Sequence, residues 1–514
     1  MVEQGGARSD ASVLAQPHPL LRSPALGTAL AVLMAAALGL AAGRIGLPLL
    51  VPVAVLAAMA ASIAGHWRPL LVGMLFYLPV SGLPVLLLYP DTAPGALAKD
   101  VLFVLPAYAG AAAALVVRRE KLGVPGAPLF LMVSLALLVL VQALNPSVPK
   151  PLVAMIGVKV WLFYLPMLWL GYHLFSRKSQ VQQLLKWMLV VAMLPCVVGV
   201  IEALLVYGGK EEFAYGLYGP AASAATQDFA AFSFDGTSSL KRLPSIFQFV
   251  SQYWLFATAT IAVGYGAWRG NRSSRVLAWF GPLAIAVAIL ATMTSGLRAA
   301  FIFSPFMLLL IALFEGVSFR RILAVALGSV LAIVGALAIL RVPAGPLAEL
   351  TGSQGTFILE FFGDGFTYAI EHALLGLGTG VDSNGLSYAF GSDDYDVIYA
   401  TVGGIWWESW YLKAFLELGV AGLILLLALI GALVRRSLIV HRRLVDRELR
   451  SMSAAFLALF IWNVIYAVKT AYVDLDPMSV YLWLFLGMQW RLVTMNGEHS
   501  PGQGDRTARR RTPA

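Results

Sequence analysis

The sequence predicts an all-α polytopic membrane protein with about fourteen transmembrane helices, two long extracytoplasmic loops and both termini in the cytoplasm. Three observations predict it. Of 514 residues, 59% are hydrophobic and only 12% are charged, whereas soluble domains are near half apolar and a quarter charged. Apolar runs of roughly twenty residues, the length that crosses a ~30 Å hydrocarbon core, recur along the chain. The basic residues also sort to one side of the spans those runs define. Length alone would suit about three soluble domains, but the runs are nearly continuous and describe a single membrane domain.

Taken in order, a tail at 1–25 precedes spans expected at 26–43, 46–64, 69–89, 98–117, 127–144, 154–175 and 184–206, the first seven. The third is interrupted by Pro79 and Pro84. The first run is followed at once by a second without a small-residue cleavage site, so it is read as a helix rather than a signal peptide. A loop at 207–245 leads to spans at 246–268, 276–294, 299–316 and 321–341. A larger loop at 342–411 leads to spans at 412–434, 453–470 and 478–494, and a basic tail at 495–514 follows. Cys196, the one cysteine, lies in an apolar run and has no intrachain partner for a disulfide.

With the N-terminus placed in the cytoplasm, that side receives 25 of the 36 Lys and Arg residues. They cluster at Arg118 to Lys121, Arg177 to Lys186, Arg269 to Arg275, Arg320-Arg321, Arg435 to Arg450 and the tail Arg506 to Arg511. An odd error in span number would scramble this sorting, so it supports the even count as well as the orientation. The net charge of +9 is therefore topological, and the basic tail is suited to anionic lipid rather than nucleic acid.

Loops longer than about fifteen residues carry function or disorder. The first contains Glu211, Glu212, Asp228 and Asp235 and ends in Lys241-Arg242. The second contains Glu349, Glu360, Asp364, Glu371, Asp382, Asp393, Asp394, Asp396 and Glu408 among many Phe, Tyr and Trp residues, a composition unlike disorder. Helical segments are expected near 345–363 and 365–375, then a glycine-rich turn at Gly376, Gly378 and Gly380. Aromatic rings beside carboxylates hold sugars; an interfacial aromatic belt gives the same pattern. Gly376 to Gly380 follows no strand and lacks the lysine of a phosphate-binding loop. The six histidines form no i, i+4 pair, and Asp393, Asp394 and Asp396 fit a solvated turn or a cation site.

Four segments belong together: Lys241-Arg242-Leu-Pro-Ser at the return to the membrane, Ser295-Gly-Leu-Arg298 between two spans, His372 to Gly380, and Glu408-Ser-Trp-Tyr411-Leu through Glu417-Leu-Gly419 to Gly422. Their order resembles the O-antigen ligase and O-antigen polymerase family, which shows an arginine stretch opening a span, Ser-x-x-Arg, a glycine loop, then His-Asn-x-[Tyr/Phe]-Leu and Glu-x-Gly-x-x-Gly. The resemblance covers about 240–425. Here Glu408-Ser409 replaces His-Asn, and Pro244 stands where glycine is usual.

The resemblance implies a multi-pass enzyme of the inner (cytoplasmic) membrane that polymerises undecaprenyl-pyrophosphate-linked oligosaccharide repeats into exopolysaccharide or O-antigen, without nucleotide sugar, cofactor or metal. A ligase handing the glycan to a lipid core uses the same donor. A transporter or flippase is the rival from another class, and a non-catalytic envelope scaffold a further one. The implied partners are the lipid-linked donor, a glycan or lipid acceptor, membrane lipid, and other polysaccharide assembly and export proteins.

Chemistry assigns the roles in parallel. A pyrophosphate leaving group gathers negative charge, and guanidinium pins it bidentately; Arg242 and Arg298 are the candidates, and interfacial anchoring is their alternative use. The acceptor hydroxyl needs a base. Glu408, at the mouth of a span, is the first choice, ahead of His372 and the loop aspartates, and a solvated loop-end carboxylate is its alternative. Lys241, Ser295, His372 and Tyr411 are the expected substrate contacts. Within spans, Lys159, Glu202, Lys413, Glu417 and Lys469 stand out as costly in lipid. Lys413 and Glu417, at i, i+4, are placed to neutralise each other, whereas Lys159 has no evident partner.

Overall fold

A computed structural model of the chain describes residues 55–88, 93–216, 242–297, 299–317, 363–383 and 409–496, with isolated positions at 320, 327–328, 331 and 386. The span expected at 26–43, nearly all of that at 321–341, the first residues of that at 46–64, most of both long loops, the tail at 1–25 and the residues beyond 496 lie outside them. Among the described residues there is no strand. The main helices in chain order are α1 (Val55–Val80), α2 (Pro94–Val116), α3 (Leu129–Gln142), α4 (Pro151–Leu174), α5 (Lys178–Tyr207), α6 (Val250–Arg269), α7 (Arg275–Thr294), α8 (Ala300–Glu315), α9 (Trp410–Arg443), α10 (Arg447–Tyr466) and α11 (Met478–Arg491). Seven of them, α1, α2, α4, α5, α7, α9 and α10, are long and apolar enough to cross a membrane. The chain is thus an all-helical membrane protein.

Sequence dictates where these helices bend. Gly65 takes φ 114° inside α1, a left-handed value that L side chains avoid. It falls in the gap expected between spans at 46–64 and 69–89. Pro79 and Pro84 divide the following stretch into short turns, 78–80 and 82–87, because proline removes a donor and clashes with the preceding turn. The span expected at 412–434 extends over 410–443 and is broken at Gly419.

Packing follows membrane rules. α6 lies against α5, α7 and α10, and α10 also contacts α8, α9 and α11; α6 and α10 are buried over most of their length. By contrast Val116, Phe130 and Leu144 point outward, as lipid-facing side chains do. Where α4 crosses α11, a Cβ on Gly171 would stand 2.1 Å from the Leu484 carbonyl, and one on Gly487 would stand 2.0 Å from that of Leu168. Small residues let these backbones touch, which replaces hydrophobic driving force between helices in lipid.

The two ends of the bundle differ in chemistry. At one end lie Lys178 paired with Asp446 and Glu448, Arg68 and Arg118 with Glu120, and Arg272 with Glu315. These pairs are partly exposed and contribute about 1 kcal/mol or less each. The opposite end gathers the starts of α2, α4, α6, α8, α9 and α11 and the ends of α3, α5, α7 and α10. The candidate site is there.

Candidate functional site

The glycine loop and the broken helix form one unit. The Ser409 hydroxyl caps α9 by accepting the Leu412 N–H. At Gly419 the backbone leaves helical geometry, φ 75° and ψ −174°, which frees carbonyls before the break and an N–H after it. The loop satisfies them. Leu377 N–H donates to the Leu416 carbonyl at 2.7 Å and Gly378 N–H to that of Glu417 at 3.1 Å; Val420 N–H donates back to Leu374 at 3.1 Å. A Cβ on Gly419 would stand 2.7 Å from the Leu374 oxygen, and one on Gly380 would stand 2.1 Å from the Val153 oxygen. Gly376, Gly378 and Gly380 all have positive φ. The end of α3 holds the other flank: the Gln142 amide donates to the Leu375 carbonyl, Asn145 donates to that of Gly376 at 3.0 Å, and the Thr379 hydroxyl donates to that of Val139 at 2.7 Å.

Beneath this loop is a buried ionic network. Lys413 Nζ lies 2.6 Å from Asp474 and 3.3 Å from the Ser383 hydroxyl. Glu417 accepts the Trp161 indole N–H at 2.6 Å and the Asp382 backbone N–H at 3.0 Å. Nearby, Lys99 lies 2.7 Å from Asp100 and 3.0 Å from Asp476, and Lys159 lies 2.7 Å from Asp100. The Tyr164 hydroxyl donates to Asp100 at 2.6 Å. The connection from α10 to α11 thus carries two carboxylates, Asp474 for a lysine of α9 and Asp476 for a lysine of α2. Charges so buried persist only when paired and hydrogen-bonded. Lys159, without a partner in the sequence reading, has Asp100. Lys413 pairs with Asp474 rather than with its i, i+4 neighbour Glu417, because the Asp474 carboxylate reaches its Nζ and Glu417 is taken by Trp161 and the loop.

A second pair of segments also meets. Leu243 N–H donates to the Ser295 carbonyl at 3.0 Å, which sets Arg242 beside the end of α7. Ser245 takes φ 53°; its N–H donates to Glu202 at 2.8 Å and its hydroxyl to the Pro195 carbonyl at 2.8 Å. A Cβ on Gly82 would stand 2.3 Å from the Ile246 oxygen, so the turn by which the chain returns at 244–247 is seated against the bundle. Aromatic rings link the two segment pairs. Tyr466 meets Trp254 at 4.8 Å and Phe303 at 4.6 Å, the Trp410 backbone N–H donates to the Ala467 carbonyl, and the Trp410 ring stacks on Trp161 at 5.9 Å.

The expected site residues fall as follows. Arg242 is half-buried at the segment junction. The Ser295 hydroxyl donates to the Thr292 carbonyl at 2.6 Å, and the Tyr411 hydroxyl donates to that of Val464 at 2.7 Å, so both are engaged with backbone. His372 is exposed at the end of a helical stretch, 363–372, stacked on Tyr368 at 4.5 Å. That stretch matches the helix expected near 365–375. Lys241, Arg298, Glu408 and the trio Asp393, Asp394 and Asp396 lie outside the described residues. Among the described residues no group of three or more His, Cys, Asp or Glu side chains is arranged to hold a metal ion. Sequence reading missed Lys99, Asp100, Gln142, Asn145, Trp161, Asp474 and Asp476. The signal for four of these was an ionisable residue in a short connection or at a span start, beside intramembrane lysines that needed counter-charges. The chain matches no protein-family model, and a search of curated proteins finds no relative.

Proposed function

We propose that the protein is a fourteen-span glycosyltransferase of the inner membrane, with both termini cytoplasmic, that polymerises undecaprenyl-pyrophosphate-linked oligosaccharides on the extracytoplasmic face. The observation that carries this reading is the meeting of separated segments at one end of the bundle: 242–245 with 292–295, and 374–383 with 411–420. These are the segments in which the resemblance to O-antigen polymerases and ligases resides. In this reading the acceptor hydroxyl attacks the anomeric carbon, the bond from that carbon to the pyrophosphate oxygen breaks, and the hydroxyl proton passes to a base. Arg242 and Arg298 stabilise the departing diphosphate, Glu408 takes the proton, and Lys241 and His372 contact the donor or acceptor glycan. Ser295 and Tyr411 serve by fixing backbone. A ligase differs only in acceptor.

A second reading has one specific observation in its favour. Interrupted helices beside buried charges are also the hallmark of transporters, and Gly419 interrupts α9 next to Lys413 and Glu417. Purified protein supplied with a lipid-diphosphate oligosaccharide separates the readings. Polymerase activity gives longer lipid-linked chains. Arg242→Lys and Arg298→Lys then lose most turnover, since lysine keeps charge but not the bidentate fork, and Glu408→Gln falls by about 10²–10⁴-fold. Release of unextended donor across a vesicle bilayer, with no chain growth, would support transport instead.

A further inference from the structure

The two halves of the buried network differ in charge balance. Around Asp100, two lysines, Lys99 and Lys159, face two carboxylates, Asp100 and Asp476. Around Lys413, among the described residues, one lysine faces three carboxylates: Asp474, which it pairs with, Glu417 from its own helix, and Asp382 from the glycine loop. Asp382 is only 9% exposed, and among the described residues its Oδ2 has no hydrogen-bond partner. Three ionised carboxylates sharing one ammonium out of water would leave uncompensated charge, which a buried setting strongly disfavours.

We infer that Asp382 carries a bound proton while the glycine loop is seated, so that Asp382 and Glu417 form a proton-binding site where the loop meets the broken helix. Beyond these two, the groups facing the site among the described residues are Lys413 from α9, Asp474 from the α10–α11 connection, Trp161 from α4 and Ser383 of the loop itself. Burial first, and the Glu417 charge second, push the Asp382 carboxyl well above the usual carboxylate range, with Lys413 opposing. A metal cation fits less well, because the Lys413 ammonium occupies the cluster. The proton is tied to loop position through the Asp382 N–H on Glu417. When the loop lifts away, both groups meet water and the proton leaves to solvent. Proton binding thereby favours the seated loop. The inference is independent of the glycan-transfer reading.

The sign follows from linkage. A carboxyl whose folded value lies above its unfolded ~3.9 contributes stability that is complete below about pH 4 and is lost as pH rises through the folded value. The test is thermal unfolding of the full-length protein in detergent, in choline chloride buffers from about pH 5 to about pH 8. Wild-type melting temperature should fall over that range. Asp382→Asn should melt at or above wild type at about pH 8 and lose roughly half or more of the pH-dependent fall. An Asp382→Asn protein destabilised at every pH with the fall unchanged would overturn the inference. So would a wild-type melting temperature at about pH 8 that rises when sodium replaces choline and no longer does so in Asp382→Asn, since the occupant would then be a metal cation. Should Asp382→Asn fail to accumulate, Glu417→Gln decides: removing the like charge should shift the fall to lower pH, and an unshifted fall overturns the inference.

Discussion

Lys413 is fully buried, and its nearest carboxylate arrives from a different helix connection. Removing one partner of such a pair leaves the other charged in a dry setting, which costs about 3–5 kcal/mol. Lys413→Met should therefore lower the melting temperature of purified protein sharply, and Asp474→Asn should do the same. Combining Lys413→Met with Asp474→Leu should recover most of the loss, because apolar replacement of both partners is near neutral. Equal losses that simply add would show that the two residues do not act as a pair. At this scale the sequence was half legible. The cost of a lysine in a span is visible from composition alone, so Lys159 and Lys413 could be singled out. The partner was not visible, because an i, i+4 carboxylate is always the nearest candidate in a linear reading, and Asp474 lies 61 residues away.

At the scale of elements, the break at Gly419 decides whether the glycine loop has a seat. A helix continued through that residue would use the Leu416 and Glu417 carbonyls internally and leave Leu377 and Gly378 N–H groups without acceptors. Gly419→Ala meets both a left-handed φ and a 2.7 Å approach to the Leu374 oxygen. We expect it to cost about 2 kcal/mol or more and to expose 372–383 to protease at temperatures where the wild type resists. Proteolysis indistinguishable from wild type would show that the loop does not depend on the break. The glycines were readable in the sequence as a turn and as part of a motif. That the turn hydrogen-bonds into the motif's other half was not readable, because glycine spacing reports permitted backbone angles and not the partner they bring close.

For the whole molecule, hydropathy made the helices legible and charge sorting gave an orientation to test. Reporter fusions after residues 225 and 380 should report outside, and fusions after 272 and 445 inside. A cytoplasmic signal at 380 would put the glycine loop in the wrong compartment for a lipid-linked glycan. The ties across the connection between α10 and α11 also bear on biosynthesis. Lys413 leaves the ribosome 61 residues before Asp474, so α9 reaches the translocon without its final counter-ion, and a lone lysine in the first turn of a span resists insertion, though by less than the ~2.5–3.5 kcal/mol it costs at a span's centre. Glu417, one turn along and the one carboxylate on that helix, is in place to chaperone it meanwhile. The neighbour that a linear reading pairs with Lys413 is thus placed to offset its charge during synthesis, until the connection between α10 and α11 delivers Asp474.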